Sequence, residues 1–329
     1  MLTKRMFLSG AASLTAGAAL PGASAQTPYP SRTIRIIVGY AAGGGVDIVA
    51  RLLGDSMGRA LHQTVIVENR PGASAMIASN TVAKADPDGY TLLAAASGEV
   101  AINQHIFKTM TYDPDKDLTP FALVGIVPCV VVVADATPVH NAKELIAYAR
   151  ANPGKLSFSS SGVGNPQQLA GELMNSMAGI KVLHVPYRGS APAVTDVAGG
   201  VVTMSFSSLA AALPLIKAGK LRAVAVTSKE RMPQLPDVEP LSAGDPKLAG
   251  YELLNWFGLF APAKTPRPVL ETLNREANAG LKDKALADKL MVQGIVPRPL
   301  NLDEAQAFVR SESTKFAQIA KAAHIEVSN

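Results

Sequence analysis

The order of apolar and polar residues along the chain predicts strands that alternate with helices. Residues 33–38 (TIRIIV) are β-branched and almost continuously apolar, which is typical of a strand covered on both faces. Apolar residues at helical spacing predict a helix over 46–57, and a second helix is predicted over 75–83. Further strands are predicted at 64–67 and 90–95, so this part of the chain indicates a parallel α/β sheet.

A second series of strands and helices begins with the valine run at 130–133 and continues to residue 227. The predicted strands are 156–159, 181–185, 201–206 and 221–227, and the predicted helices are 142–151, 166–178, 191–198 and 208–218. After a proline-rich loop, a strand is predicted at 256–260. Two helices with apolar stripes at 269–281 and 308–319 are then expected to end the chain.

Two strand-like segments, 128–133 and 254–260, stand between the α/β regions. They could cross between domains, so that the terminal helices pack on the first domain. The sequence then predicts an α/β chain with one domain of residues 26–127 plus 256–329 and a second domain of residues 128–255. Two crossings form a hinge, and a cleft between α/β domains is a preferred ligand site.

The first 25 residues have the features of a secretory signal peptide. A basic pair at residues 4–5 precedes an apolar stretch at 7–20, and the small residues 23–25 provide a cleavage site. The apolar stretch is too short to span a bilayer. We therefore expect cleavage between Ala25 and Gln26 and export of the mature protein by the Sec or the twin-arginine route.

Composition and charge exclude several classes of function. Apolar residues make up 48% and charged residues 17% of the chain, which is enough to bury a core. The net charge is +5, but no run of Lys or Arg is longer than two, which argues against a nucleic-acid partner. Cys129 is the one cysteine and the five histidines stand singly, so neither a disulfide nor a metal site is expected, and no cofactor is implied.

The segment YAAGGGVD, at the end of the first predicted strand, is a candidate anion-binding loop. Glycine lets the backbone approach a ligand closely, and the first N–H groups of the following helix are unpaired donors. The spacing fits neither the dinucleotide fingerprint nor the phosphate loop, so a tight turn that serves only packing is the alternative. The candidate residues of this loop are Tyr40, Ala42, Gly43, Gly44, Gly45 and Asp47.

Small hydroxyl, amide and glycine residues also follow three other predicted strands. They are Ser97 after the strand at 90–95, Ser161, Gly162 and Asn165 after the strand at 156–159, and Ser207 after the strand at 201–206. Open α/β sheets bind ligands at the carboxyl ends of their strands. Each serine alone could be a helix cap, but together these residues predict a cleft lined by backbone and hydroxyl donors. The expected ligand is a small carboxylate or a similar oxygen-rich anion.

A catalytic interpretation has less support. The serines lie in no G-x-S-x-G segment, and no histidine is close to them along the chain, although His184 and His105 could approach in space. Asp47 is in the first turn of a predicted helix, where we expect it to complement the helix dipole rather than act as a base. Cys129 lies beside valines and is expected to be a buried, inert thiol.

Several longer segments make the chain similar to a known family. Near the start these are YPSRTIRIIVGYAAGGGVDIVAR, VIVENRPGAS, ADPDGYTLL and AINQHIF. Later come GKLSFSSSGVGNPQQLAGE, HVPYRGSAPAVTDVAGG, AGKLRAVAVTS, LPDV and WFGLFAPAKTP. In this order they resemble the Bug family, the periplasmic receptors of tripartite tricarboxylate transporters, over essentially the whole chain after residue 25.

The resemblance implies a two-domain periplasmic-binding-protein fold of type II that closes on its ligand and has no catalytic activity. It also implies a periplasmic location and delivery of the ligand to a membrane permease of one large and one small subunit. The ligands of such receptors are mostly carboxylates. They are held by the loops that match residues 40–47 and 160–165 and by the strand ends at Ser97 and Ser207. We expect a monomer.

The sequence departs from the family pattern at some of these positions. Ala42 and Val46 stand where Pro and Thr are common, Asn165 and Gln168 where Thr and His are common, and Ser207-Ser208 where Asp-Asn is common. The loss of that Asp removes a partner for an ammonium group, so we expect a plain or aromatic carboxylate rather than an acidic amino acid. Two alternatives are a sensory co-receptor that reports to a histidine kinase and an exported enzyme that acts on a carboxylate.

Overall fold

The computed structural model describes residues 29–322 and residue 325. The predicted signal peptide at 1–25 and His324 lie outside the described residues. The strands are β1 (Ile34–Val38), β2 (Val65–Asn69), β3 (Thr91–Ala96), β4 (Leu118–Ala134), β5 (Ser157–Ser160), β6 (Leu183–Pro186), β7 (Met204–Ser208), β8 (Leu221–Val226), β9 (Leu254–Pro262) and β10 (Val296–Pro297).

The α-helices surround these strands, and a π-helical turn at Gly98–Ile102 follows β3. They are α1 (Gly45–Leu61), α2 (Met76–Ala83), α3 (Asn103–Ile106), α4 (Pro114–Asp117), α5 (Ala142–Ala151), α6 (Pro166–Ala178), α7 (Ser190–Ala198), α8 (Leu209–Lys217), α9 (Arg267–Lys282), α10 (Lys284–Val292) and α11 (Leu302–Ala322). No helix of the described residues is long and apolar enough to cross a membrane.

The strands form two sheets that share β4. The first sheet has the order β2-β1-β3-β9-β4-β10, and the second sheet has the order β8-β4-β7-β5-β6. Strand β4 pairs with β9 from Leu118 to Pro128 and with β7 from Cys129 to Val133. The chain therefore passes from one sheet to the other inside a single continuous strand.

Each sheet has a parallel part, as the alternation of strands and helices predicts. Strand β1 pairs in parallel with β2 and β3, and β5 pairs in parallel with β6 and β7. The long strands β4 and β9 run antiparallel to their neighbours. The carboxyl ends of β1, β3, β5 and β7 are the places where the candidate loops begin.

Apolar side chains on both faces of the sheets are buried. In β1, Ile36 and Val38 belong to one core cluster, whereas Ile37 belongs to another on the opposite face. The same alternation divides the valine run of β4 between two clusters, with Val130 and Val132 on one face. Full burial of such a side chain contributes about 1.5–3 kcal/mol, so continuous β-branched runs favour strands in the middle of a sheet.

The structure contains the short elements α3, α4 and β10, which the sequence analysis does not predict, and it differs from the predicted elements in β4, in β7 and at the end of the chain. The strand predicted at 130–133 is longer in the structure and extends over the whole of β4. Its first part is not predicted because it contains prolines, which are unusual in a sheet interior. The strand predicted at 201–206 begins only at Met204. Two helices are predicted at the end of the chain, but the structure has three, α9, α10 and α11. The additional helix α10 begins after Asp283, whose carboxylate accepts a hydrogen bond from the Leu286 N–H.

Candidate functional site

A pocket of about 290 Å³, a volume that includes space open to solvent, forms a cavity between the two sheets. From the first sheet and its connections it is lined by Tyr40, Gly44, Gly45, Val46, Ala96, Asn255 and Phe257. From the second sheet it is lined by Ser161, Gln167, Ser190 and Ser208. None of these side chains is charged, so a bound anion would depend on dipoles and hydrogen-bond donors.

Three α-helices begin at the cavity without a side-chain cap. These are α1 after Gly44, α7 after Gly189 and α8 after Ser208. The first N–H groups of a helix have no intrahelical acceptor, and the helix dipole places partial positive charge there. Three such ends at one cavity form an environment that favours a negatively charged ligand.

The glycine loop before α1 is held in place by Asp47. The Asp47 carboxylate accepts hydrogen bonds from the Gly43 N–H (3.0 Å), the Asn69 side-chain amide (2.9 Å) and the Arg51 guanidinium (3.2 Å). Burial opposes ionisation, but these hydrogen bonds and the charge of Arg51 lower the pKa of Asp47 below its ordinary value. Asp47 does not line the cavity, and its carboxylate holds Gly43, the residue just before Gly44 and Gly45.

Asn255 presents an amide N–H₂ group at the cavity. Its Oδ1 accepts hydrogen bonds from the Ser97 hydroxyl (3.0 Å) and from the backbone N–H of Trp256 (2.8 Å). A backbone N–H can only donate, so the oxygen of this amide must face Trp256. The Nδ2 donor is therefore the group that remains for a ligand, and buried Ser97 acts by orienting it.

The end of β7 places Ser208, rather than Ser207, at the cavity. The Ser207 hydroxyl donates to the carbonyl oxygen of Ser208 at 3.2 Å and does not reach the cavity. The Ser208 hydroxyl lines the cavity, is buried, and has no hydrogen-bond partner within the described part of the chain. An unpartnered buried hydroxyl costs about 1–3 kcal/mol, and a ligand oxygen would remove that cost.

On the second sheet, the side-chain amides of Gln167 and Asn165 orient two serine hydroxyl groups at the cavity. Its Oε1 accepts from the Ser161 N–H at 2.7 Å, and its Nε2 donates to Ser190 Oγ at 2.8 Å. The Asn165 amide donates to Ser161 Oγ at 2.9 Å. Both serine oxygens thus accept a hydrogen bond from the protein, which leaves their hydrogen atoms to donate to a ligand.

Two glycines allow the halves of the molecule to meet beside the cavity. A Cβ atom on Gly98 would lie 3.1 Å from the carbonyl oxygen of Gly164. Gly164 itself has φ +74°, and a Cβ atom there would lie 2.3 Å from Asn103 Oδ1. Side chains at these positions would force the loops apart.

Among the described residues, no histidine or cysteine lines this cavity beside its serines. His184 Nε2 is hydrogen-bonded at 2.6 Å to Ser160 Oγ, and neither residue lines the cavity. Burial lowers the pKa of His184 to about 4 and raises the pKa of the Cys129 thiol to about 12, so both groups are uncharged near neutral pH. No cluster of metal ligands is found among the described residues.

Comparison with known proteins identifies the family. The model of the tripartite tricarboxylate transporter family receptor matches residues 49–325. The chain belongs to this receptor family. BugT of Bordetella pertussis is 34% identical over 322 residues, which cover 97% of this chain and 97% of that protein. The similarity to the Bug family that the sequence motifs indicate is thereby confirmed.

Solved structures of receptors with the same fold include two with carboxylates. R. palustris Rpa4515 with adipate has 34% sequence identity and a TM-score of 0.88, with 91% of this chain and 99% of that chain covered. MatC from Rhodopseudomonas palustris with bound malate has 30% identity and a TM-score of 0.82, with 88% of this chain and 99% of that chain covered. The receptor chain has the two-domain α/β periplasmic-binding-protein fold that the sequence predicts.

The candidate residues fall into two groups in this receptor. Tyr40, Gly44, Gly45 and Ser161 line the cavity. The other seven, Ala42, Gly43, Asp47, Ser97, Gly162, Asn165 and Ser207, lie beside it, and several orient the lining residues. Sequence reasoning did not select the other seven lining residues, which are Val46, Ala96, Gln167, Ser190, Ser208, Asn255 and Phe257. Ser190 could have been found, because it follows Gly189 at the start of a helix, and a glycine before a helix is also the signal in the loop before α1. Nothing in the local sequence distinguishes Asn255.

Proposed function

We propose that this protein is a non-catalytic periplasmic receptor that captures a small carboxylate in the cavity between its two sheets. The observation that carries the proposal is the meeting of three uncapped helix N-termini in a cavity without charged side chains. Backbone donors and neutral hydroxyls stabilise a carboxylate without the desolvation cost of a buried cation. The carboxylates in Rpa4515 and MatC support the same ligand class.

In this proposal the ligand is held by donors from both halves. The N–H groups of Gly44 and Gly45, together with Asn255 Nδ2, approach it from the first sheet. The hydroxyls of Ser161 and Ser208 approach it from the second sheet. The remaining candidate residues shape the loops, as Asp47 does through its hydrogen bonds to Gly43 and Asn69.

The preferred ligand is a plain or aromatic carboxylate rather than an acidic amino acid. The α-ammonium group of glutamate or aspartate would require an acceptor or a carboxylate in the cavity. The lining contains no Asp or Glu, and Asp47 has its oxygens occupied by the loop. An uncompensated ammonium group in this cavity would lose its hydration without replacement.

Delivery to a two-subunit permease follows from domain closure. We take the two domains to be residues 26–127 plus 256–329 and residues 128–255, since β4 changes its pairing partner after Pro128. Ligand binding would favour the closed arrangement, and only that arrangement presents both domains as one surface to the permease. The signal peptide at 1–25 would direct the chain to the periplasm, where this encounter takes place.

Uptake in a deletion strain tests delivery. Cells that lack the gene should lose saturable uptake of the carboxylate that binds most tightly, and the wild-type gene should restore it. A gene that carries Gly44→Val and yields the same amount of exported protein should not restore uptake. Normal uptake combined with loss of ligand-dependent transcription would contradict delivery and support the sensory alternative.

A further inference from the structure

Glu99 is a buried carboxyl group next to the cavity, in the π-helical turn after β3. Its side chain is 0% exposed. Glu99 Oε2 accepts a hydrogen bond from the Tyr40 hydroxyl at 2.5 Å, and Oε1 accepts one from the Ala96 N–H at 3.0 Å. Because Tyr40 and Ala96 both line the cavity, the carboxyl group is separated from a bound ligand by only its hydrogen-bond partners.

The elements packed around this turn provide no counter-charge for Glu99 among the described residues. Tyr112 donates to the backbone carbonyl of Glu99 rather than to its carboxyl group. On α3, His105 is hydrogen-bonded to Ser313 of α11. On α4, the Lys116 ammonium group pairs with the Asp113 carboxylate, which also accepts a hydrogen bond from the Asp115 N–H. The Asp117 carboxylate accepts one from the Asp113 N–H. On α11, Glu312 is paired with Lys315.

The absence of a counter-charge makes the charge of Glu99 sensitive to its surroundings. Burial raises the pKa of Glu99 to about 7, although the hydrogen bonds from Tyr40 and Ala96 act in the opposite direction. The group is therefore divided between its charged and neutral forms near neutral pH. A small change in the local potential is enough to shift this balance.

We propose that Glu99 takes up a proton from the solvent when a carboxylate binds in the cavity, so that the receptor captures its ligand together with a proton. This inference rests on the proposed function. A ligand carboxylate brings a second negative charge close to Glu99 in a site of low dielectric constant, and two such charges repel each other. Protonation of Glu99 removes the repulsion, and the ligand is held by neutral donors.

The hydrogen-bond geometry determines where the proton goes. Oε1 is occupied by the Ala96 N–H, so the added proton resides on Oε2 and is donated to the Tyr40 oxygen. Only one hydrogen atom can lie between Glu99 Oε2 and the Tyr40 oxygen, so the Tyr40 hydroxyl hydrogen must then turn away from Glu99. It becomes a donor for an oxygen atom of the ligand in the cavity that Tyr40 lines.

Titration calorimetry on ligand-stripped protein tests the proposal. The probe is whichever of adipate, malate, citrate and benzoate binds most tightly. In two buffers with different ionisation enthalpies, the difference in heat gives the number of protons taken up near neutral pH. Because Glu99 is already about half protonated in the free protein, we expect an uptake of about half a proton per ligand near neutral pH. The dissociation constant should rise about tenfold between about pH 6 and about pH 9.

Two variants and a control assign the proton to Glu99. In Glu99→Gln, the amide can accept from Ala96 and donate to Tyr40, which imitates the protonated carboxyl group, so proton uptake and pH dependence should disappear. Tyr40→Phe removes a hydrogen bond that stabilises the charged form, so the pH dependence should move to higher pH. Glu172→Gln removes another carboxyl group with a raised pKa that does not line the cavity, and it should behave as the wild type.

The outcomes separate this inference from the proposed function. Tight binding with no proton uptake and a constant dissociation constant would overturn the role of Glu99 but leave the receptor function intact. Proton uptake in Glu99→Gln equal to that of the wild type would also overturn the role of Glu99. If Glu99→Gln does not fold, an unchanged pH dependence of proton uptake in Tyr40→Phe would overturn it. If none of the four acids binds at any pH, the proposed function and this inference fail together.

Discussion

The backbone N–H of Ala41 donates a hydrogen bond of 3.0 Å to the carbonyl oxygen of Arg188. Ala41 stands just before the glycines that begin α1, and Arg188 stands just before Gly189, which precedes α7. The bond therefore joins the two halves of the molecule at the rim of the cavity. It holds two uncapped helix N-termini at the same site, so the closure of the cleft that we propose would also complete the anion site.

Gly189→Ala should weaken ligand binding by preventing this closure. Gly189 has φ +156°, and a Cβ atom there would lie 3.1 Å from the Ala41 nitrogen. Backbone strain and crowding of about 1–2 kcal/mol in the closed form correspond to a dissociation constant about tenfold higher. X-ray scattering should show that the variant with ligand remains as extended as the wild type without ligand. Wild-type affinity with normal compaction would contradict the role of this contact.

Gly44→Val should abolish binding while the fold remains stable. Gly44 has φ −81° and ψ 167°, a conformation that valine adopts readily, and a Cβ atom there meets nothing closer than 3.5 Å. The added side chain would occupy the space in which a carboxylate approaches the first turn of α1. The matched control is Gly199→Val, at an exposed glycine with φ −81° outside the cavity. We expect affinity to fall more than about tenfold in Gly44→Val alone, with both melting temperatures near the wild-type value.

Two adjacent serines provide a sharper test of the site. Ser208→Ala removes a cavity hydroxyl that has no partner in the described residues, so ligand affinity should fall by about 1 kcal/mol, or about fivefold. The same change should leave the stability of the free protein unchanged or slightly raised. Ser207→Ala removes a hydroxyl that donates to the backbone outside the cavity, and affinity should change less than about twofold. The reverse ranking, measured by calorimetry, would place the ligand on the other side of β7.

His184 predicts how stability depends on pH. Its pKa is about 4 in the folded protein because of burial, whereas the ordinary value is 6.5. Above about pH 6.5 the residue is neutral in both states, and its full contribution to stability is present. As the pH falls from 6.5 towards 4, only the unfolded chain gains a proton, so up to about 3 kcal/mol is lost.

Urea unfolding at about pH 7.5 and about pH 5 measures this loss. His184→Gln should lose less stability between the two pH values than the wild type. His62→Gln, at an exposed histidine, is the matched control and should behave as the wild type. An equal loss in all three proteins would contradict a buried neutral His184.

The sequence alone predicts much of this fold because local patterns determine its regular parts. The burial of Ile36 and Ile37 on opposite faces of β1 follows directly from a β-branched run. The first part of β4 could not be predicted, because Pro120 and Pro128 argue against an interior strand. A strand tolerates proline where its pairing register shifts, as β4 does after Pro120, and that shift is not visible in the local sequence.

The site shows the same limit. The glycine loop could be found from sequence because its backbone requirement is local. Ser208 and Asn255 could not, since the first depends on which way β7 faces and the second on Ser97, which is 158 residues away along the chain. Asp47 is a candidate ligand-binding residue from the sequence, but its hydrogen-bond partners in the structure are Gly43 and Asn69, through which it stabilises the loop conformation.

A thermal-shift screen on protein unfolded and refolded to remove carried-over ligand tests whether this receptor binds a carboxylate. A ligand at about 100 times its dissociation constant stabilises the folded state by about 2.7 kcal/mol, which raises the melting temperature by about 5–10 °C. We expect this shift with a plain dicarboxylate, a citrate-like acid or an aromatic acid, and a much smaller one with glutamate or aspartate. No shift with any of these carboxylates, or the largest shift with an acidic amino acid, would contradict the account.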